Sequence, residues 1–296
     1  MNIVDELKKN NLKFRLNESM KKHTTLRIGG NAKYYIEVYN ISELNTVLSL
    51  SKNFNLSLFI IGAGSNLLVS DSGIDGFVLR FKGEFEKIDF IPEKDECIAG
   101  SGVMLPFLIK KCVDMKYSGL EQLSGIPGTV GGGIVMNAGT NKQTIFENLV
   151  EVTTINKNSI LETLPKQKIN YSYRKTDLEG KIILNAKFKL KRKSQQEIVE
   201  KITEILLERS KTQPLGTLNA GSIFKNPENN FAGKLIEECG LKGFKIGNVY
   251  VSDKHANFII NSGNATAEEI KQLIFEIRNR VYKMKGIKLE LELKII

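Results

Sequence analysis

Between residues 119 and 140 the chain reads GLEQLSGIPGTVGGGIVMNAGT, and seven of these 22 residues are glycine, three of them consecutive at Gly131, Gly132 and Gly133. Glycine loses more backbone freedom on folding than any other residue, so a chain concentrates it only where side chains would obstruct something. The run therefore points to main chain that must come close to a second object. A shorter stretch of the same kind, IGAGSNLLVSD, occupies residues 61–71.

Neither stretch is one of the common nucleotide motifs. Residues 62–67 supply only the first two glycines of G-x-G-x-x-G and lead into a strand rather than a helix, and no G-x-x-x-x-G-K-[ST] occurs. Both stretches can instead present consecutive backbone N–H groups, which bind phosphate oxygens without a cationic side chain. A lone G-x-G is ordinarily a tight turn. Two such elements, each with small polar residues (Ser65 and Asn66; Thr129 and Asn137), point to an anionic ligand lying across both, and a diphosphate that long suggests a dinucleotide.

The rest of the chain narrows the setting. At 296 residues it has room for more than one core, and two or three domains are expected. The net charge of +10 favours anionic partners. The basic residues are spread out, however, and the densest run, KFKLKRK at 187–193, reads as a solvated face without any RRM, zinc-finger or KH signature. No apolar leader and no run of 18 apolar residues occurs, so a cytoplasmic protein without a membrane segment is expected. Cys97, Cys112 and Cys239, with only His23 and His255 beside them in composition, fit neither a disulfide framework nor a metal site, so reduced structural thiols and no metal are expected.

Hydrophobic periodicity predicts a strand at 32–38, a helix at 42–54 opened by Ser42, and strand, glycine turn and strand across 56–81, a β-α-β-β beginning. A short strand at 97–99 and a helix at 105–115 with Pro106 in its first turn come next. Strands at 149–156 and 181–193 flank the loop NYSYRKTDLEGK. Ser194 and Glu197 form a capping box for a helix at 195–211 whose apolar stripe is Ile198, Ile202, Ile205 and Leu206. TQPLGTLNAGS breaks the pattern and places a domain boundary there. A short helix at 231–239 stops at Gly240. Thr266 and Glu269 cap a last helix with the stripe Ile270, Leu273, Ile274, Ile277, Val281 and Met284, ended by Gly286, and an alternating strand at 287–296 closes the chain.

Six blocks, HTTLRIGGNAKYYIEV, IGAGSNLLVSDSGIDGFVLR, GLEQLSGIPGTVGGGIVMNAG, YSYRKT, GTLNAGSIFKNP and GIKLELELKII, occur in this order over His23 to Ile296. Together they resemble the bacterial flavoenzyme family of UDP-N-acetylenolpyruvoylglucosamine reductases (MurB). The resemblance is to the shorter type, which lacks a tyrosine-bearing insertion. It implies an α+β fold: a vanillyl-alcohol-oxidase (PCMH)-type FAD-binding domain of two subdomains, at 1–80 and 81–211, plus a smaller α+β substrate-binding domain at 212–296 whose C-terminal strand returns towards the flavin. It implies noncovalent FAD, with its diphosphate held by backbone N–H groups of the two glycine-rich loops. By matching motif the cofactor-binding residues are Gly62, Gly64, Ser65, Asn66, Gly125, Ile126, Pro127, Gly128, Thr129, Gly132, Asn137, Ala138 and Gly139.

The reaction implied is a relay: NADPH reduces FAD, and reduced flavin delivers hydride to the enolpyruvyl ether of UDP-N-acetylglucosamine, giving UDP-N-acetylmuramate for peptidoglycan synthesis. Arg174 and Glu292 resemble the pair that polarises the substrate carboxylate, and Ser222 resembles the proton donor. Glu290 is the alternative to Glu292 if the strand register differs. Lys211, Lys225 and Asn226, with Arg209, would hold the substrate diphosphate and uridine, and Tyr171 and Tyr173 are candidates for substrate contact. The chain departs from the family pattern at Gly133, where alanine is usual, in NAGTNKQ after Asn137, and at Leu291, where proline is common. Two other readings are an FAD oxidase or dehydrogenase of the same fold acting on another hydroxy substrate, and a nucleic-acid-binding module motivated by the charge.

Overall fold

In a computed structural model, which describes residues 2–140, 143–178 and 180–296, the β-branched and aromatic runs of the N-terminal half become two sheets. The first has the order Lys13–Ser19, Asn31–Val38, Ile74–Phe81, Ser57–Ile60. Its last two strands are parallel, with Ser57 opposite Gly76 and Ile60 opposite Leu79. A parallel pair cannot be closed by a tight turn. The crossover that joins it, residues 61–73, is where the first glycine-rich stretch sits.

Helix α1 (Ile3–Lys9) and the strand Lys13–Ser19 precede the expected β-α-β-β beginning and add to it. Helix α2 (Ile41–Asn53) starts earlier than expected. Asn40, extended at φ −153°, accepts the Glu43 N–H at 2.9 Å, so Asn40 and not Ser42 is the cap. Leu44 and Val47 of α2 pack with Ile36, Phe77 and Leu79 of the sheet in one buried cluster.

The second sheet is antiparallel, in the order Leu161–Pro165, Leu149–Ile155, Ile182–Lys189, Glu96–Gly100, Ile88–Ile91. Against it lie α3 (Leu105–Asp114), with Pro106 in the first turn as expected, and the short α4 (Val130–Val135). The sequence reading has no helix at α4, because three successive glycines weigh against one by about 1 kcal/mol each. The packing supplies the reason: a Cβ on Gly131 would lie 2.9 Å from Ser101 Cβ, and one on Gly133 would lie 3.2 Å from Ile145 Cδ1. Helix α5 (Gln195–Thr212) opens on the expected Ser194 and Glu197 box, with Glu197 N–H donating to Ser194 Oγ at 3.3 Å and Ser194 N–H to Glu197 Oε2 at 3.1 Å. Its stripe is shallower than the periodicity predicts. Ile198 is buried and Ile202 packs at the core edge, but Leu206 is exposed.

The chain divides into two compact units, the first made of Met1–Leu16, Tyr34–Ala63 and Asp75–Glu208, the second of Asn17–Lys33, Gly64–Ile74 and Arg209–Ile296. In the second, α6 (Ala232–Glu238) and α7 (Ala267–Lys285) pack with a sheet of Lys245–Ile246, Val249–Val251 and Ile259–Asn261. The Thr266 and Glu269 capping box is present, and Asp71 accepts the Ala267 and Glu268 N–H groups at 2.9 and 3.1 Å, where the helix dipole favours an anion. Ile270, Leu273, Ile274, Ile277 and Val281 are buried as expected. Met284 is exposed instead, because the last turn before Gly286 (φ +69°) runs past the core. The expected strand at 287–296 is regular only at Lys294–Ile295, which pairs in parallel with Leu67–Leu68.

Candidate functional site

The two glycine-rich stretches meet. A Cβ on Gly62 would lie 2.7 Å from Thr129 Oγ1, so the first loop can turn past the second only because Gly62 is bare. Thr129 Oγ1 also accepts the Gly132 N–H at 3.3 Å and so opens α4. The main chain at 128–130 is braced from outside, with Leu105 N–H donating to the Gly128 carbonyl at 2.9 Å and Val130 N–H to the Val103 carbonyl at 2.8 Å. In that arrangement the N–H groups of Gly128 and Thr129 have no partner among the described residues. Gly125 turns the chain in the left-handed region at φ +76°.

Not every glycine faces open space. Gly131 and Gly133 are bare for packing, and a Cβ on Gly139 would lie 2.5 Å from the Gln143 carbonyl. Gly132 is the exposed one of the triplet. Three buried oxygens nearby, Ser101 Oγ, Ser124 Oγ and Asn137 Oδ1, have no hydrogen-bond partner among the described residues. A buried polar atom left unpaired costs about 1–3 kcal/mol, so such a group calls for a ligand or a water.

Arg174 is built onto the end of the same loop. It lies in the two-residue turn between Tyr171–Ser172 and Lys175–Thr176, at φ +56°, a left-handed conformation that costs a non-glycine residue roughly 1–2 kcal/mol. Among the bonds that hold it there are Arg174 Nη2 to the Gly139 carbonyl (2.8 Å), Arg174 Nη1 to the Asn137 carbonyl (3.4 Å), Asn137 Nδ2 to the Ser172 carbonyl (2.9 Å) and Thr176 Oγ1 to the Val135 carbonyl (2.9 Å). Asn137, itself left-handed at φ +42°, thus both gives and receives across this junction. Tyr173 is exposed beneath the guanidinium, 5.2 Å from ring centroid to Cζ. Tyr171 stacks on Phe146 at 4.4 Å and is itself exposed.

In the second unit, Ser222 and Glu292 come from adjacent extended segments joined by isolated bridges. Residues 222–225 run between two neighbours: on one side Ser222 bridges Phe258 and Ile223 N–H bonds the Asn257 carbonyl at 2.9 Å, and on the other Phe224 bridges Leu291. The Ile223 carbonyl accepts from two successive donors, Glu292 N–H at 2.9 Å and Leu293 N–H at 3.3 Å. Two donors on one acceptor mark a β-bulge, which breaks the alternation and re-aims the side chain at that point. It falls on Glu292. The alternative, Glu290, lies at 78% side-chain exposure with Lys225 at 3.4 Å, whereas Glu292 is half-buried.

Asn257 is the residue that sequence reasoning missed here. Buried, it accepts the Phe224 N–H on Oδ1 at 3.0 Å and donates Nδ2 to the Phe224 carbonyl at 2.8 Å, which locks the serine strand. The signal was its position, a lone asparagine ahead of the apolar run Phe258, Ile259 and Ile260.

The remaining expected residues divide by unit. Gly62, the loop from Gly125 to Gly139, Tyr171, Tyr173 and Arg174 belong to the first unit, and Gly64, Ser65, Asn66, Lys211, Ser222, Lys225, Asn226 and Glu292 to the second. Asn226 Oδ1 accepts the Ala232 N–H at 3.0 Å and so caps α6, while Lys211 is exposed near the end of α5. Asn141 and Lys142, in the NAGTNKQ departure, lie outside the described residues.

The chain is similar to known proteins over most of its length. A family model of the FAD binding domain matches residues 32–164, and one of the C-terminal domain of UDP-N-acetylenolpyruvoylglucosamine reductase matches residues 213–296. The chain is 40% identical over 291 residues to the UDP-N-acetylenolpyruvoylglucosamine reductase of Agathobacter rectalis, covering 94% of this chain and 92% of that one. It is 41% identical over 280 residues to UDP-N-acetylenolpyruvoylglucosamine reductase 2 of Symbiobacterium thermophilum, covering 94% and 90%. A crystal structure of UDP-N-acetylenolpyruvylglucosamine reductase from Thermus caldophilus superposes with a TM-score of 0.83 at 34% identity, covering 96% of this chain and 98% of that one.

Proposed function

Because the chain belongs to the UDP-N-acetylenolpyruvoylglucosamine reductase family, we propose that it reduces UDP-N-acetylglucosamine enolpyruvate to UDP-N-acetylmuramate with NADPH through noncovalent FAD, in the cytoplasm, for peptidoglycan precursor synthesis. The observation that carries this reading is the attachment of the proposed reacting residues to a built framework: Arg174 to the carbonyls of Asn137 and Gly139, and Glu292 to the strand that bears Ser222.

The first unit fits the cofactor. FAD carries hydroxyl and amino donors and a diphosphate, and Ser124 Oγ, Asn137 Oδ1 and the N–H groups of Gly128 and Thr129 are partners of both kinds. The loop residues Gly62, Gly125 to Thr129, Gly132 and Asn137 to Gly139 would hold it there. When bound, FAD supplies the two-electron chemistry between NADPH and the enolpyruvyl double bond.

The chain's own residues do the rest. Arg174 offers a planar fork to the substrate carboxylate, and its anchoring to two carbonyls sets the plane of that fork before substrate arrives. A positioned group of this kind removes the cost of orienting it during reaction. Glu292, beside the substrate carboxylate, would hold its proton and donate a hydrogen bond to that carboxylate as charge builds there. The Ser222 hydroxyl donates a proton to C2. A serine is a weak acid in water, but the carbon of an enolate is basic enough to take its proton. Lys211, Lys225 and Asn226 would bind the nucleotide diphosphate and uridine, with Tyr173 at the rim. We further read residues 1–80 and 81–211 as the two FAD subdomains and 212–296 as the substrate domain.

The experiment is direct. The purified protein should be yellow, and after anaerobic reduction its flavin should be reoxidised by UDP-N-acetylglucosamine enolpyruvate. A colourless protein, or a reduced flavin that this nucleotide leaves untouched, rejects the proposal. An oxidase of the same fold would be reoxidised by oxygen and remain inert to the nucleotide.

A further inference from the structure

We propose that Asn66 is a positioning residue for Glu292: its side-chain amide, inside the first glycine-rich loop, fixes the peptide that aims the carboxyl. The inference rests on the reading of Glu292 given above. Asn66 Nδ2 donates to the Glu292 carbonyl at 3.0 Å, across 226 residues of sequence. The Asn66 carbonyl accepts the Lys294 N–H at 3.1 Å, two residues further on. One residue therefore holds the C-terminal segment at two points.

The geometry around Glu292 gives that bond its consequence. A side chain leaves Cα in a direction set by the two peptides that flank it. The peptide before Glu292 is held by its N–H on the Ile223 carbonyl at 2.9 Å. The peptide after it is held by the Leu293 N–H on the same carbonyl, at a longer 3.3 Å, and by the Asn66 amide on its carbonyl oxygen. Because this is the bulge, no regular ladder backs the second peptide up until Lys294 pairs with Leu67. The Asn66 bond is the shorter of these two.

The position of Asn66 adds a second consequence. It follows Gly64, left-handed at φ +64°, where a Cβ would lie 2.0 Å from the His23 carbonyl, so the loop has one tightly packed path. Immediately after Asn66, Leu67–Leu68 pairs with Lys294–Ile295, and Ser70 N–H closes on the Ile296 carbonyl at 2.7 Å. A loop assigned to the cofactor thus also sets the seat of the proposed acid, and the two are coupled through one amide.

The test uses the FAD-loaded full chain and reads the two half-reactions separately. Asn66→Ala should slow reoxidation of the reduced flavin by UDP-N-acetylglucosamine enolpyruvate by about tenfold to a hundredfold, the loss expected of a misplaced reacting group, and slow flavin reduction by NADPH much less. Asn66→Asp keeps the shape but removes the donor, so it should fail in the same way and serves if the alanine variant does not fold. In a Glu292→Gln background the Asn66→Ala penalty should largely vanish, because a residue acting through Glu292 has nothing left to position. Equal loss of both half-reactions, loss of FAD affinity alone, additivity with Glu292→Gln, or wild-type behaviour of Asn66→Asp would each overturn the proposal. A wild-type enzyme that the nucleotide cannot reoxidise would instead reject the parent reading.

Discussion

Arg174 and Glu292 are seated in opposite ways. Arg174 is held by its own side chain, which reaches back to two main-chain carbonyls from the tip of a two-residue turn. Glu292 has its main chain held on both sides, through the Ile223 carbonyl and the Asn66 amide. A residue seated by its side chain can be displaced by changing that side chain's shape alone. One seated by its main chain loses its chemistry when the carboxyl is changed and its aim only when a neighbour is changed.

The largest effect expected from this contrast is at the carboxyl. Glu292→Gln should keep the bulge and the seat and cost roughly 10² to 10⁴ in reoxidation of the reduced flavin by substrate, the usual contribution of a positioned acid. Glu290→Gln should cost almost nothing there, since that carboxylate is exposed and pairs with Lys225 at the surface. Ser222→Ala should lose turnover on a comparable scale while flavin reduction by NADPH survives. Rapid-mixing absorbance of the two half-reactions separates these outcomes, and an equal effect of the two glutamate changes would erase the distinction between them.

Arg174→Lys probes the other seat. A lysine keeps the charge but has one ammonium point where the guanidinium has a fork, so it cannot serve two carbonyls and a carboxylate in one plane. We expect a loss of about tenfold to a hundredfold in the second half-reaction, mostly in kcat. A lysine variant with wild-type kcat would mean that the plane set by Asn137 and Gly139 is irrelevant to turnover.

How much of this was legible beforehand follows from range. The caps at Ser194 and Thr266, the Pro106 helix start and the buried stripe of the last helix from Ile270 to Val281 are local patterns and read correctly, whereas Met284, expected in that stripe, is exposed. Helix α4 was not legible, because its glycines answer to Ser101 and Ile145 rather than to helix propensity. The C-terminal segment alternates cleanly, yet the bulge at Glu292 comes from Ile223, some seventy residues away in sequence, and no local pattern encodes it. Arg174, Ser222 and Glu292 came from block resemblance; their own surroundings in sequence look like an exposed loop, a turn and a charged strand. Asn66 was expected to face the cofactor, and its bond to Glu292 is long-range information that only coordinates carry.

A smaller effect is expected at the hairpin base. Thr176→Val removes the bond to the Val135 carbonyl and nothing of the proposed chemistry. One net hydrogen bond is worth about 1 kcal/mol, which in a chain of this size lowers Tm by roughly 1–2 °C. Hydrogen exchange should rise at residues 171–176 before it rises elsewhere. If the seat of Arg174 is cooperative, kcat falls slightly with it, and an unchanged exchange pattern would show that the bonds of Arg174 and Asn137 suffice.

The smallest expected effect lies behind the serine strand. His255 Nδ1 accepts the Asn257 N–H at 3.2 Å, and Asn257 in turn clamps Phe224. Burial pushes the imidazole below its ordinary value near 6.5, with Lys242 adding to the depression and a backbone bond and Glu237 opposing it. The unfolded chain therefore binds a proton that the folded chain refuses, so stability falls as pH drops from about 6.5 through the lower folded value and is unaffected above it. Protonation would also remove the acceptor that Asn257 uses. Between pH 7 and 5, Tm should fall more steeply in the wild type than in His255→Gln, whose side-chain oxygen accepts without titrating. Identical slopes would assign the acid sensitivity to other groups and leave the serine strand held by Asn257 alone.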